Sequence, residues 1–346
     1  MNDIIKLDRK TDTTVDMKKK IDITILVTTI TQREITIQTA NYYSEICNEV
    51  IVVDEEQPHL SATEINDLKK RGITYIPYRD GSDKSLSSTY EKRLIAANHS
   101  SNRFLVHSNH DERYTYHGLL SCIAELENDT KITFCAGQSI AIRRDNLEIF
   151  YSRSYKNLAG YQNMDNVDQR LYHHAEIYSP IAHFAVWRRE LYISVTERTI
   201  AIHNLMPSTT MMEEVVFEFA ADMAGNSKAI PELYWIRNRI NGYSNNSTLK
   251  GKHVFKIIEE KLNILFEDLD NIQMDIIINS FWKHFNFVRP SFVTKSIITF
   301  KQIVRTFVKK KKINSIVTLL KNDEIIYDEE DLSNVLESMK FFFKKA

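Results

Sequence analysis

The 346-residue chain holds only 8 glycines and 3 cysteines, and each scarcity excludes something. TTITQREI, which follows the first apolar run, contains no glycine, so no glycine-rich loop is available there to cradle phosphates. Cys47, Cys122 and Cys135 are odd in number, lack CxxC spacing and sit inside apolar runs. That pattern argues against a disulfide framework or a thiolate zinc site, and for a reducing compartment. No apolar run approaches the roughly 18 residues of a membrane-spanning helix, and the polar start MNDIIKLDRKTDTTVDMKKK has no signal-peptide core. A soluble, cytoplasmic protein is expected. Charge of one sign is also lacking: 45 Lys and Arg stand against 46 Asp and Glu, so no basic field points to a nucleic-acid partner.

What is present is ordered. After a charged leader, residues 1–20, IDITILVTTI (21–30) reads as a short buried strand, REITIQTANYYSEIC as a helix and EVIVVDEE (49–56) as a second strand. ATEINDLKKRG, ITYIPY (73–78), SSTYEKRLIAAN and RFLVHS (103–108) continue the alternation. Four short strands separated by helices predict a parallel sheet covered on both faces. Beyond Asp111 the pattern changes. YHGLLSCIAELEND reads as a helix, KITFCAGQSIAI and LEIFYSRS as strands around the turn RRDN, AHFAVWRRELY as another strand, and EEVVFEFAADMAGN (213–226) as a helix closed by Gly225 before the strand ELYWIRNRI. The sheet is therefore mixed. From about Lys252 apolar residues recur at helical spacing, giving a domain of residues 21–250 and a helical region of residues 251–346.

In an open α/β sheet, ligands gather beyond the carboxyl ends of the strands. Three of those ends are polar: Thr28, Thr29, Thr31 and Arg33; Asp54, Glu55 and Glu56; His107, Asn109, His110, Asp111 and Glu112. Helix capping explains acids at any one of them, but three converge. Asp54 suits ribose hydroxyls, and Asp111 a cation or phosphate.

The series T-T-x-T-Q-R-E, V-V-D-E-E and F-L-V-H-S-N-H-D-E resembles the donor-binding half of GT-A fold glycosyltransferases, above all the inverting family 2 type. TYEKRLIAANHSSNRFLVHSNHDE and EEVVFEFAADMAGNSKAIPELYWIRNR look like segments of a bacterial subgroup that builds surface polysaccharides such as capsule and O-antigen. The resemblance covers residues 22–245. It implies an α/β GT-A (Rossmann-like) mixed sheet with a C-terminal helical appendage, and an activated, nucleotide-diphosphate sugar donor. It further implies a glycan or lipid-linked acceptor.

By the same resemblance Thr29, Arg33, Asp54, Lys92, Asn109, Asp111 and Arg237 face the donor, and Glu214 or Glu213 acts as catalytic base, Glu214 being preferred. Asp111 matches the last acid of a D-x-D metal motif, whose first acid is replaced by Asn109. Mg2+ or Mn2+ is the implied ion, with Asn109 and His253 as further candidate ligands; hard oxygen donors and phosphate point the same way. Without the ion, Arg79, Lys84 or Lys92 would neutralise the leaving diphosphate. Arg239 is a second candidate beside Arg237 for diphosphate or acceptor. Three competitors stand: a pyrophosphorylase, which needs the missing glycine loop; a degenerate domain that binds glycan or scaffolds an assembly; and a transferase using a non-nucleotide sugar phosphate. VKKKKI (308–313) and MKFFFKKA at the end of the chain suit peripheral contact with the inner membrane.

Overall fold

The computed structural model describes residues 19–29, 32–78, 88–145, 148–155, 164–206, 210–239, 252–267, 271–284 and 315–340. Its first part alternates strand and helix: β1 (Ile21–Thr29), α1 (Arg33–Ile46), β2 (Cys47–Asp54), α2 (Ala62–Lys70), β3 (Ile73–Pro77), α3 (Ser88–His99) and β4 (Phe104–Ser108). β1 and β2 are β-branched and bury Ile23, Ile25, Val27, Val50 and Val52 completely, each side chain contributing about 1.5–3 kcal/mol of transfer free energy. β3, β2, β1 and β4 lie side by side and parallel. Right-handed crossovers put α3, which returns across the sheet, on the face opposite α1. Successive residues of β4 report both faces: His107 stacks edge-on to His183, while Ser108 meets Tyr43 of α1.

The rest of the sheet is mixed, as the changed pattern beyond Asp111 predicts. It contains β5 (Glu112–Tyr114), β6 (Ile132–Asp145), β7 (Glu148–Ser154), β8 (Val186–Arg188) and β9 (Asn226–Arg239), in the order β3-β2-β1-β4-β8-β6-β9-β5 with β7 beside β6. β8 runs antiparallel to β4 and β6, and β5 antiparallel to β9. α4 (Tyr116–Asn128), α5 (Val167–Ile177), α6 (Arg189–Leu205) and α7 (Thr210–Ala224) complete this part. Gly118 lets α4 close on β9: a Cβ there would stand 2.6 Å from Thr115 Oγ1 and 2.6 Å from Tyr234 Cα.

One expected strand is corrected. AHFAVWRRELY is a 3-10 turn (Ala182–Phe184), the three residues of β8, and the first turn of the 17-residue helix α6. The β-branched residues of RELYISVTERTIAIHNL masked that helix, although Tyr192, Val195, Thr196, Thr199, Ile202 and His203 bury one helical face. The C-terminal helices α8 (Lys252–Leu265), α9 (Asn271–His284), α10 (Ile316–Asn322) and α11 (Glu329–Ser338) follow. They are tied to the sheet domain. The backbone of Leu233 in β9 donates to Ile326 (2.7 Å), and the Asp331 carboxylate of α11 accepts the amides of Tyr116 (3.0 Å) and His117 (2.8 Å) at the start of α4. Among the described residues no helix is long and apolar enough to cross a membrane.

Candidate active site

Two groups of polar side chains occupy the strand tips, and they differ in how they are bonded. At β1 and β2 everything is paired. Asp54 is fully buried; its Oδ2 accepts Arg33 Nε (2.5 Å) and the Tyr75 hydroxyl (2.6 Å), and its Oδ1 accepts the Glu56 amide (3.0 Å). Lys92, also buried, donates to the Thr29 carbonyl (2.9 Å) and to Glu55 Oε2 (2.6 Å). Burial lowers the Lys92 pKa while Glu55 and Asp54 hold its charge in place. Thr29, Arg33, Asp54 and Lys92 are thus brought together.

At β5 and β9 the pairing is partial. Glu112, buried, accepts Arg237 Nε (3.0 Å) and the Asn109 amide (3.3 Å). The Arg237 guanidinium lies 4.4 Å from the Trp235 ring centre and 5.1 Å from that of Phe184, and also bonds the Tyr155 hydroxyl. This arrangement aims Arg237 and keeps it charged. Asp111 and Glu214 have no side-chain partner among the described residues, and both are half-buried. Burial raises both pKa values, and Arg237 and Arg239 pull both back down, so one pair of arginines lies within electrostatic reach of the two carboxylates. Arg239, at the exposed end of β9, forms no ion pair with a described residue.

The adjacent acids of α7 have opposite surroundings. Glu213 is buried against His203 of α6, with its Oε1 out of line for a hydrogen bond. The fully buried Lys261 of α8 stands near it. Burial moves the Glu213 pKa up to about 7, against the pull of Lys261 and Arg93.

Arg93 and Glu218 were missed in the sequence. Arg93 is 3% exposed, its Nη1 meets His183 Nδ1 at 3.1 Å, and its Nε has no hydrogen-bond partner among the described residues. The basic pair in YEKRL was the available signal; only the fold shows that Lys92 turns to Glu55 and Arg93 to His183. His107, bonded to Thr28 (3.1 Å), is kept neutral by burial and by Arg93 and Lys92, whereas His110 lies beside Gln32 (3.2 Å).

Among the described residues no three His, Cys, Asp or Glu side chains converge to hold a metal. Asp111 offers one carboxylate and Asn109 its Oδ1. That suits a cation shared with phosphate oxygens rather than a protein-only cage. Thr31, Arg79, Lys84, the His253 side chain and the lysine run 308–313 lie outside the described residues. A cavity of about 170 Å³ lies elsewhere, lined by His117, Glu232, Ile326 and Asp331 among others.

No protein-family model matches the sequence, and no curated protein sequence matches it. Among solved structures the chain is similar to the crystal structure of S. aureus TarS 1–349, with a TM-score of 0.49, 12% identity, and 78% of this chain and 73% of that one covered. The same piece in complex with UDP-GlcNAc gives 0.49, 12%, 78% and 74%. A further TarS crystal structure gives 0.48 and 12%, with 76% of this chain and 43% of that one covered. At this level of likeness no residue role and no activity passes from one chain to the other.

Proposed function

We propose that this chain is a GT-A-type glycosyltransferase. In this reading it moves a sugar from an activated donor, a nucleotide diphosphosugar, onto a growing bacterial surface glycan with inversion. One observation carries the reading. Asp111 and Glu214 are half-buried carboxylates without side-chain partners among the described residues, and both feel the positive charge of Arg237 and Arg239. A buried carboxylate is costly unless paired or used.

In the reaction, Glu214 takes the proton from the acceptor hydroxyl as its oxygen attacks the anomeric carbon; the bond to the diphosphate breaks on the opposite side. Arg237 and Arg239 stabilise the charge that appears on the leaving group. Asp111, with the Asn109 carbonyl, would hold Mg2+ or Mn2+, and such an ion supplies further neutralisation of that diphosphate when bound. Thr29, Arg33, Asp54 and Lys92 form the nucleoside end. Because Asp54 and Lys92 are already bonded to protein groups, they act by fixing Arg33 and the tip of β1. Burial of Glu214 places the acid limb of the pH–rate profile above the ordinary glutamate range.

The test is a melting-temperature screen against nucleoside diphosphates and their sugars, with and without Mn2+. Ligand at a hundred times its Kd should stabilise the fold by about 2.7 kcal/mol, and Asp111→Ala should abolish any manganese-dependent part. A second reading, a degenerate domain that binds glycan without transfer, draws support from Asn109, whose amide is turned onto Glu112. No stabilisation by any nucleotide would leave that reading standing and remove the first.

A further inference from the structure

Glu214, Glu218 and Asp222 follow one another at intervals of four along α7, so three carboxylates share one helix face. Only the first is partly open to solvent; Asp222 is buried. Glu218 is fully buried. Its Oε1 accepts the amide of His183 (2.8 Å) and its Oε2 the amide of Ala182 (3.0 Å). The only ionisable partner within ion-pair distance of it among the described residues is His174 of α5, whose Nε2 lies 4.0 Å from Oε2. His174 Nδ1 is engaged by Asp222. Among the described residues no arginine or lysine forms an ion pair with Glu218, and carboxylates flank it one turn before and one turn after.

The turn that Glu218 holds is a junction. His183 Nδ1 meets Arg93 and the Tyr90 hydroxyl (3.2 Å). The Phe184 carbonyl accepts the Tyr114 (3.2 Å) and Tyr234 (2.7 Å) hydroxyls, and the Phe184 ring packs 4.0 Å from Trp235 under Arg237. Moving this turn would move both Arg93 and Arg237.

We propose that Glu218 works as a neutral carboxylic acid: its proton faces His174 Nε2, its two oxygens fix the Ala182–Phe184 turn, and the half-buried Glu214 is left as the ionised carboxylate. Two like charges one helical turn apart in a buried site do not both ionise readily, and burial together with Glu214 and Asp222 drives the Glu218 pKa well above the usual glutamate value. The other titratable groups around it are His174 and Tyr178 beside α5, Tyr90 on α3 and His183 on the turn. Glu218 is a positioning residue, touching neither donor nor acceptor. Its protonation stands apart from the proposed reaction, and only the kinetic part of the test rests on that reading.

The decisive measurement is infrared, made at pH 8 where Glu213 is mostly ionised. Wild type should show a carboxylic-acid carbonyl band that disappears in Glu218→Gln and persists in the Glu213→Gln, Glu214→Gln double variant. The double variant keeps Glu218 in place, so the proposal stays testable even if Glu218→Gln does not fold. Absence of the band from both wild type and double variant would mean an ionised Glu218 beside an imidazolium His174, and would overturn the proposal. In the kinetic arm, Glu218→Gln keeps a neutral group but loses one of the two acceptors for the turn. The donor KM should rise about threefold to tenfold, the scale of one neutral hydrogen bond, with kcat within about threefold and the acid limb of the pH profile unmoved. A kcat lower by about a hundredfold at unchanged KM would instead show proton transfer through Glu218 and defeat the positioning role. If the infrared result holds and no transfer is found with any donor, the proposed reaction fails while the protonation stands.

Discussion

The tips of β1 and β2 and the tips of β5 and β9 are built from the same residue types and finished differently. At the first, Asp54 is saturated by Arg33, Tyr75 and a backbone amide, and Lys92 by Glu55 and a carbonyl. At the second, Glu112 and Arg237 pair, but Asp111, Glu214 and Arg239 form no ion pair with a described residue. A polar group bonded on every side stabilises the fold, and removing it leaves its partners buried and unmatched. An unbonded carboxylate held half out of water contributes nothing comparable, so its presence calls for another cause. The difference separates scaffold from chemistry without reference to any relative.

The largest expected effect attacks the saturated side. Asp54→Ala leaves Arg33 Nε and the Tyr75 hydroxyl without their acceptor in a buried setting, and should cost about 3 kcal/mol of folding stability. Urea unfolding with an unchanged m-value reads this directly. Asp111→Ala and Glu214→Ala should do the reverse, lowering transfer by at least about a hundredfold while stability stays within about 0.5 kcal/mol. Initial rates and urea midpoints on the same preparations decide; a variant that loses stability and keeps its rate would move that residue to the scaffold side.

Glu213 and Glu214 differ in burial, the first buried against His203 and the second half-exposed, and pH exposes the difference. The folded-state pKa of Glu213 is up at about 7 against an ordinary 4.5, so the fold favours its protonated form. The resulting stability is fully present below pH 4.5, falls as pH rises, and is lost above about pH 7. Glu213→Gln mimics the protonated side chain. It should match wild type at pH 4.5 and exceed it by on the order of 2 kcal/mol at pH 8, with most of the gap opening between those values. Parallel curves across the range would mean that Glu213 is not held by its buried surroundings at His203 and Lys261.

The parallel half of the sheet was legible because its signals are local: runs such as ILVTT and VIVVD, each followed by a helix and bounded by turn residues. β5 was not, since Glu112, Arg113 and Tyr114 form a strand only by pairing with Trp235, Ile236 and Arg237 more than a hundred residues later. For the same reason Asp111 and Glu214 could be picked out singly by their place after a strand and at a helix start, whereas the Arg237 and Arg239 pair that links them depends on tertiary structure. Glu218 was hidden in VVFEFAADM, where two acids one helical turn apart among apolar residues read as the solvent side of a helix. The fold buries that side as well.

The smallest effect tests whether the unbonded group at the β9 tip is one unit. Arg239 is exposed and forms no ion pair with a described residue, so Arg239→Gln should leave stability within about 0.5 kcal/mol of wild type. If it shares the donor diphosphate with Arg237, its loss should raise the donor KM about tenfold, because a charge-assisted hydrogen bond contributes roughly 1.5–3 kcal/mol and solvent at an exposed site takes part of it. The same substitution removes one of the cations that pull down both Asp111 and Glu214. The acid limb of the rate profile should therefore move to higher pH in Arg239→Gln, the sign expected when a carboxylate loses a positive neighbour. A KM change without that movement would place Arg239 beside the donor but away from Glu214, and the two carboxylates would no longer share a pair of arginines.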